Sequence, residues 1–193
     1  MGTIFLSASI PVVGRGQYHE TADPFLIQCA VRELVIAVIR KHKIVWGGHP
    51  AITPMIWNIC EDLGEKYSES VILYQSNYFE DRFPEETALF NNVIFTPAFH
   101  EDQGKSLAVM REAMLSRDDL IAAVFIGGMD GVEIEYNLFK KFHPSAQIIP
   151  LMAPGGAALD LAKRYGYGYV GDENSLNDID FASIFYNQLI VPY

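Results

Sequence analysis

Strands and helices alternate along this chain, and the alternation predicts a Rossmann-like α/β fold, a three-layer α/β/α sandwich with a mostly parallel sheet. Three observations carry the prediction. Short β-branched and aromatic runs, such as Lys43-Ile44-Val45-Trp46, recur between segments of helical spacing. Two of the runs end in a glycine pair and restart as a helix, at Gly47-Gly48 and at Gly127-Gly128. Half of the 193 residues are hydrophobic, enough to build one buried core in a single domain over residues 1–193.

The elements follow in order. Residues 4–6 read as the first strand. Residues 7–22 hold Pro11, Gly14 and Gly16 and read as a loop, long for a strand-to-helix connection and therefore of functional interest. Asp23-Pro24 supplies an N-cap and a first-turn proline for a helix over 25–40, apolar nearly all round and expected to be central and covered. A strand over 43–46 leads to a helix over 55–63, and a third strand over 70–74 runs into the polar and aromatic segment Gln75-Ser76-Asn77-Tyr78-Phe79. A short strand over 92–95, a helix over 106–115 and a strand over 120–126 come next. Helices over 132–142, 157–165 and 180–191, with a strand over 147–151, complete the pattern. No internal repeat, low-complexity tract or linker interrupts it.

Fourteen Lys plus Arg against 24 Asp plus Glu give a formal net charge of -10, with no basic run, which disfavours nonspecific binding to nucleic acid or an acidic membrane. Cys29 and Cys60, each within a helical apolar pattern, fit reduced core residues and neither a zinc spacing nor a disulfide framework. The start of the chain lacks a signal-peptide pattern and residues 34–39, the longest apolar segment, are too few to span a bilayer, so a soluble cytoplasmic protein is expected. His19-Glu20 and His100-Glu101 are isolated pairs without the i, i+4 histidine spacing of a metalloprotease, and no metal is expected.

Glycines at the carboxyl end of a strand let backbone amides approach a ligand, and the next helix aims its free N–H groups at the same place. In a parallel sheet both glycine loops face one edge, where they could flank a crevice at a reversal of strand order. Gly47, Gly48, Gly127, Gly128, Met129, Asp130 and Gly131 are therefore ligand-binding candidates, with tight turns as the alternative. Ser7 and Ser9 could offer hydroxyls to a phosphate or ribose, or cap a turn. His49 could stack on a base or donate a proton, or be structural. Thr53 could meet a phosphate from the first turn of its helix, or merely start it. Asn77 fits a ribose or base contact, or a turn. Arg15 fits a bidentate phosphate clamp or a solvated surface residue. Glu133 and Glu135 are two apart and point to different helix faces, so at most one faces the crevice; either could instead serve the helix dipole. Pro154-Gly155-Gly156 is a third glycine-rich helix start, explained by a turn into a packed helix.

At these residues the chain resembles the SLOG superfamily, which includes the LOG phosphoribohydrolases, the DprA proteins and bacterial immune sensor domains. Residues Gly127-Gly128-Met129-Asp130-Gly131-Val132-Glu133-Ile134-Glu135 stand where LOG enzymes carry Pro-Gly-Gly-x-Gly-Thr-x-x-Glu. Ile126 replaces the proline, one residue is added before Gly131, and Val132 replaces the threonine. The resemblance implies that Glu135, or Glu133 if the register shifts, is a catalytic or ribose-binding carboxylate. Met110-Arg111-Glu112-Ala113-Met114 is similar in position to a helix bearing an Arg-Lys pair in LOG enzymes, which makes Arg111 an anion contact; without that role it would pair with Glu112 or Asp118. Phe5-Leu6-Ser7-Ala8-Ser9 and Gly47-Gly48-His49-Pro50 are closer to SLOG domains of antiviral and nucleotide-signalling systems.

The resemblance implies two functions. One is a sensor that binds a nucleotide-derived signal related to NAD, ADP-ribose or a cyclic nucleotide, with no further cofactor; lacking an obvious output domain, it would act through a separate effector protein, by oligomerising or by sequestering the ligand. The other is an N-glycosidic-bond hydrolase, with Glu135 or Glu133 as the carboxylate and Arg111 or Arg15 as anion contact. Single-strand DNA binding in the manner of DprA fits poorly with the acidic balance. LOG relatives are commonly dimeric, and Phe181, Phe185 and Tyr186 fit either a homodimer interface or the core.

Overall fold

In the computed structural model, which describes residues 2–100, 102–167 and 178–191, six parallel strands form one sheet in the order β4-β3-β2-β1-β5-β6. They are β1 (Thr3–Ser9), β2 (Lys43–Trp46), β3 (Val71–Ser76), β4 (Val93–Thr96), β5 (Leu120–Gly127) and β6 (Gln147–Pro150). Helices α1 (Pro24–Val38) and α2 (Thr53–Leu63), with the short α6 (Phe181–Phe185), cover one face. Helices α3 (Gln103–Leu115), α4 (Gly131–Phe142) and α5 (Gly156–Tyr165) cover the other. The chain thus forms the α/β/α sandwich that its alternation predicts.

Strand periodicity divides the core between the faces. Ile4 and Leu6 of β1 join the α1 and α2 side, whereas Phe5 enters the α3 to α5 side, its ring centroid 6.0 Å from Phe125 and 6.2 Å from Phe139. Asp23 caps α1 by accepting hydrogen bonds from the N–H groups of Phe25 and Leu26 at 2.9 and 3.1 Å. The helix is less enclosed than its composition predicts. Ile27, Val31, Leu34, Val35 and Val38 are buried, but Phe25 is 70% exposed.

Three other expectations need correction. Residues 7–9 belong to β1 and not to the following loop, because β5 pairs with β1 as far as Ser9 opposite Gly127, and Tyr18–Glu20 forms a short 3-10 turn inside that loop. Gln75 and Ser76 extend β3, held by β4 through the pairing of Ser76 with Thr96. The terminal helix is interrupted: α6 passes into a π-helical turn, Tyr186–Ile190. Phe181 and Phe185 are buried in the core beside α1, and Tyr186 is exposed. Cys29 and Cys60 are free thiols, and burial pushes the Cys60 thiol up to about 11. Among the described residues no helix is long and apolar enough to cross a membrane. Glu101, of the His100-Glu101 pair, lies outside the described residues.

Candidate functional site

Unequal strand lengths open the crevice. The chain steps from β1 outward through β2, β3 and β4, then returns to place β5 on the other flank of β1, so strand order reverses at the centre of the sheet. β2 ends at Trp46 opposite Leu6, while β1 continues to Ser9. Ser7, Ala8 and Ser9 therefore have no strand beside them on the β2 side. A cavity of about 660 Å³ occupies this edge, walled by the end of β1, the loop after β2, the segment after β3, one side of α3 and the start of α4.

At its wall, Glu135 is held from two elements. Ser7 Oγ donates to Glu135 Oε2 at 2.5 Å, and Arg111 Nε donates to Oε1 at 3.0 Å. The pair is well shielded, with 14% and 15% of the Arg111 and Glu135 side chains exposed. Gly131 makes room for it, since a Cβ there would stand 2.6 Å from Arg111 Nη2. Glu133 turns outward to an ion pair with Arg164 of α5, its side chain 47% exposed. Glu135 is thus the cavity-facing carboxylate of the two, and it, rather than Glu112 or Asp118, is Arg111's partner.

At the rim Arg15 reaches Asp130 at 3.0 Å, both side chains largely exposed. His49 lines the cavity from the loop after β2. Its Nδ1 accepts from the Ala51 N–H at 3.3 Å, which leaves the proton of the neutral ring on Nε2. Burial, and secondarily the charge of Arg15, lowers the His49 pKa below its ordinary value. Thr53 is fully buried and outside the cavity wall; its Oγ1 donates to the His49 carbonyl at 3.1 Å and accepts from the His49 N–H at 3.3 Å, which fixes the loop. Asn77 is exposed at the start of the 3-10 segment Asn77–Arg82, also outside the cavity wall.

The glycine pair at the end of β5 is engaged internally. Gly128 donates to the Ser9 carbonyl at 2.8 Å, and its own carbonyl accepts from the Ala157 N–H at 3.0 Å. Gly127 takes φ 62°, and a Cβ there would meet Ile27 Cδ1 at 2.5 Å and the Ser9 carbonyl oxygen at 2.9 Å. Neither glycine lines the cavity, whereas Met129, Asp130 and Gly131 do, as do Ser7, Ser9, Gly47, Gly48, Arg15, Arg111 and Glu135.

Sequence reasoning passed over Gln75, Phe79, Arg82, Phe83, Leu107 and Met110, which also form the wall. The polar and aromatic character of residues 75–79 was the available signal; β3 brings Gln75 itself, not Asn77, to the crevice. Three arginines against two carboxylates line the cavity, a local excess of positive charge in a chain of net charge -10. Among the described residues no three His, Cys, Asp or Glu side chains gather to hold a metal ion.

A parallel α/β sheet with a polar crevice where strand order reverses defines a Rossmann-like ligand-binding class. Within it, the model of the SLOG cluster3 family matches residues 17–189, and the chain belongs to that family. No curated protein and no solved structure matches it. Membership suggests a domain that binds or processes a nucleotide-related ligand.

Proposed function

We propose that the cavity binds a nucleotide-derived ligand of the NAD, ADP-ribose or cyclic-nucleotide class, and that occupancy is the signal in a bacterial defence or nucleotide-signalling system. The signal passes to a separate effector protein or through a homodimer. The observation that carries the reading is the engagement of Glu135: one oxygen accepts from Ser7 and the other from Arg111. A carboxylate tied on both oxygens suits a fixed wall that orients a hydroxyl and a guanidinium. It is less suited to face the developing positive charge of a glycosidic transition state. Arg15, Arg82 and the remaining donors of Arg111 supply contacts for phosphate oxygens, while Phe79 and Phe83 contribute aromatic surface for a base.

One observation favours hydrolysis as a second reading. The Ser7 hydroxyl lies 2.5 Å from Glu135, so this carboxylate is placed to take a proton from a hydroxyl or from a water in its position. The purified protein and its Glu135→Gln variant, incubated with AMP, NAD, ADP-ribose and cyclic ADP-ribose, separate the two by thermal shift and mass spectrometry. A stabilised wild type with intact ligand is the expected result. Free base or nicotinamide released by the wild type and not by the variant makes the protein a hydrolase, and no shift with no product sinks both readings.

A further inference from the structure

Gln75, one residue before the end of β3, stands at the cavity with only 6% of its surface exposed. Its side-chain amide hydrogen-bonds to no other described residue. The sealed polar side-chain atoms without partners belong to His19, His42, Trp46 and Thr87, so the Gln75 amide lies instead where the cavity reaches it. Gly48 accommodates it: at φ 69° the backbone passes so close that a Cβ would run into Gln75 Nε2. A largely buried primary amide, backed by a glycine turn and reached by a cavity, offers that cavity a donor and an acceptor side by side.

We infer that Gln75 reads the base of the bound nucleotide and that the base is adenine, an inference that rests on the nucleotide reading of the cavity. Adenine presents an exocyclic N–H donor next to a ring-nitrogen acceptor, the complement of a glutamine amide, and, unlike cytosine, which offers the same edge, it brings a two-ring face to lie against the two phenylalanines. Guanine would bring a further amino group that needs its own acceptor. Phe79 and Phe83, on the chain that continues from β3, line the same cavity and provide ring faces for the base.

Calorimetric titration of the wild type, Gln75→Leu and Gln75→Met with AMP, purine riboside 5′-monophosphate, GMP and ribose 5-phosphate tests the assignment. Purine riboside lacks the exocyclic amine and ribose 5-phosphate lacks the base. The wild type should bind AMP about tenfold or more tighter than purine riboside monophosphate or GMP. Both variants should lose that preference and keep wild-type affinity for ribose 5-phosphate; the methionine variant serves if the leucine variant does not fold. Undiminished AMP preference in the variants overturns the inference, as does a wild type that prefers GMP or makes no distinction. An equal loss for AMP and ribose 5-phosphate also overturns it, since Gln75 would then merely shape the Gly47-Gly48 turn. If the wild type binds none of the four, the inference falls, and the nucleotide reading falls with it only when NAD, ADP-ribose and cyclic ADP-ribose also leave the protein unshifted.

Discussion

The two glycine-rich strand ends look alike in sequence and are used differently. At the end of β5, Gly127 and Gly128 let β1, β5 and α5 close on one another, and the Gly128 N–H and carbonyl are taken by Ser9 and Ala157. After β2, Gly47 and Gly48 border open space, with the Gln75 amide behind one and the flexible ends of Met110 and Met114 behind the other. A glycine pair at a strand end marks close approach of backbone. Whether a neighbour or a ligand approaches depends on which strands continue beyond it.

The sharpest way to break this comparison is to add a methyl group to each loop. Gly127→Ala forces a Cβ onto a positive φ and against the Ser9 carbonyl, and should cost about 2–4 kcal/mol in urea unfolding. Gly47→Ala meets the flexible ends of Met110 and Met114, at 3.2 and 3.5 Å, and should cost below about 1 kcal/mol. Equal costs would refute the division of roles.

A similar contrast on α4 sharpens it. Glu135→Gln leaves the shielded Arg111 without its counter-charge and should lower stability by about 2–3 kcal/mol. Glu133→Gln, on the solvated side, should leave the unfolding midpoint where it is. A large effect from Glu133 would mean that the helix is read from the wrong face.

Thr53→Val removes both hydroxyl bonds that hold His49 and should cost about 1 kcal/mol, with a looser cavity seen as weaker nucleotide binding at 25 °C. Stability and affinity both unchanged would show that the β2 loop needs no such clamp.

The smallest effect is electrostatic. Because burial lowers the folded-state pKa of His49, the unfolded chain binds the extra proton first, and stability rises with pH. The contribution of the neutral ring is complete above the unfolded pKa near 6.5 and is lost as pH falls below it. Unfolding of His49→Gln at pH 7 and pH 5 should show a shallower pH dependence than wild type; identical slopes would place the ring in solvent.

Much of the framework is legible in the chain. Asp23-Pro24 specifies the start of α1, and Lys43–Trp46 is a strand with the bounds its pattern gives, because local capping and alternation suffice there. The reach of β1 to Ser9 is not legible, since serines and alanine carry no strand signal and β5 alone supports them. The site divides in the same way. Ser7, Arg111 and Glu135 can be singled out from their residue types and the family resemblance, but their meeting joins residues 128 and 24 positions apart. Arg82 follows no pattern, and Gln75 is marked only as the first residue of a polar and aromatic segment in which nothing local says which member faces the crevice.

By itself, then, the sequence determined the alternation of elements, the parallel α/β class and the polar groups available at the strand ends, because these depend on neighbours within a turn or a strand. The tertiary structure decided which glycines are engaged, which glutamate faces inward and that a buried amide stands open to the cavity. Those depend on the lengths of adjacent strands, and β2 stopping at Trp46 while β1 runs on to Ser9 is a property of the pairing and not of either segment.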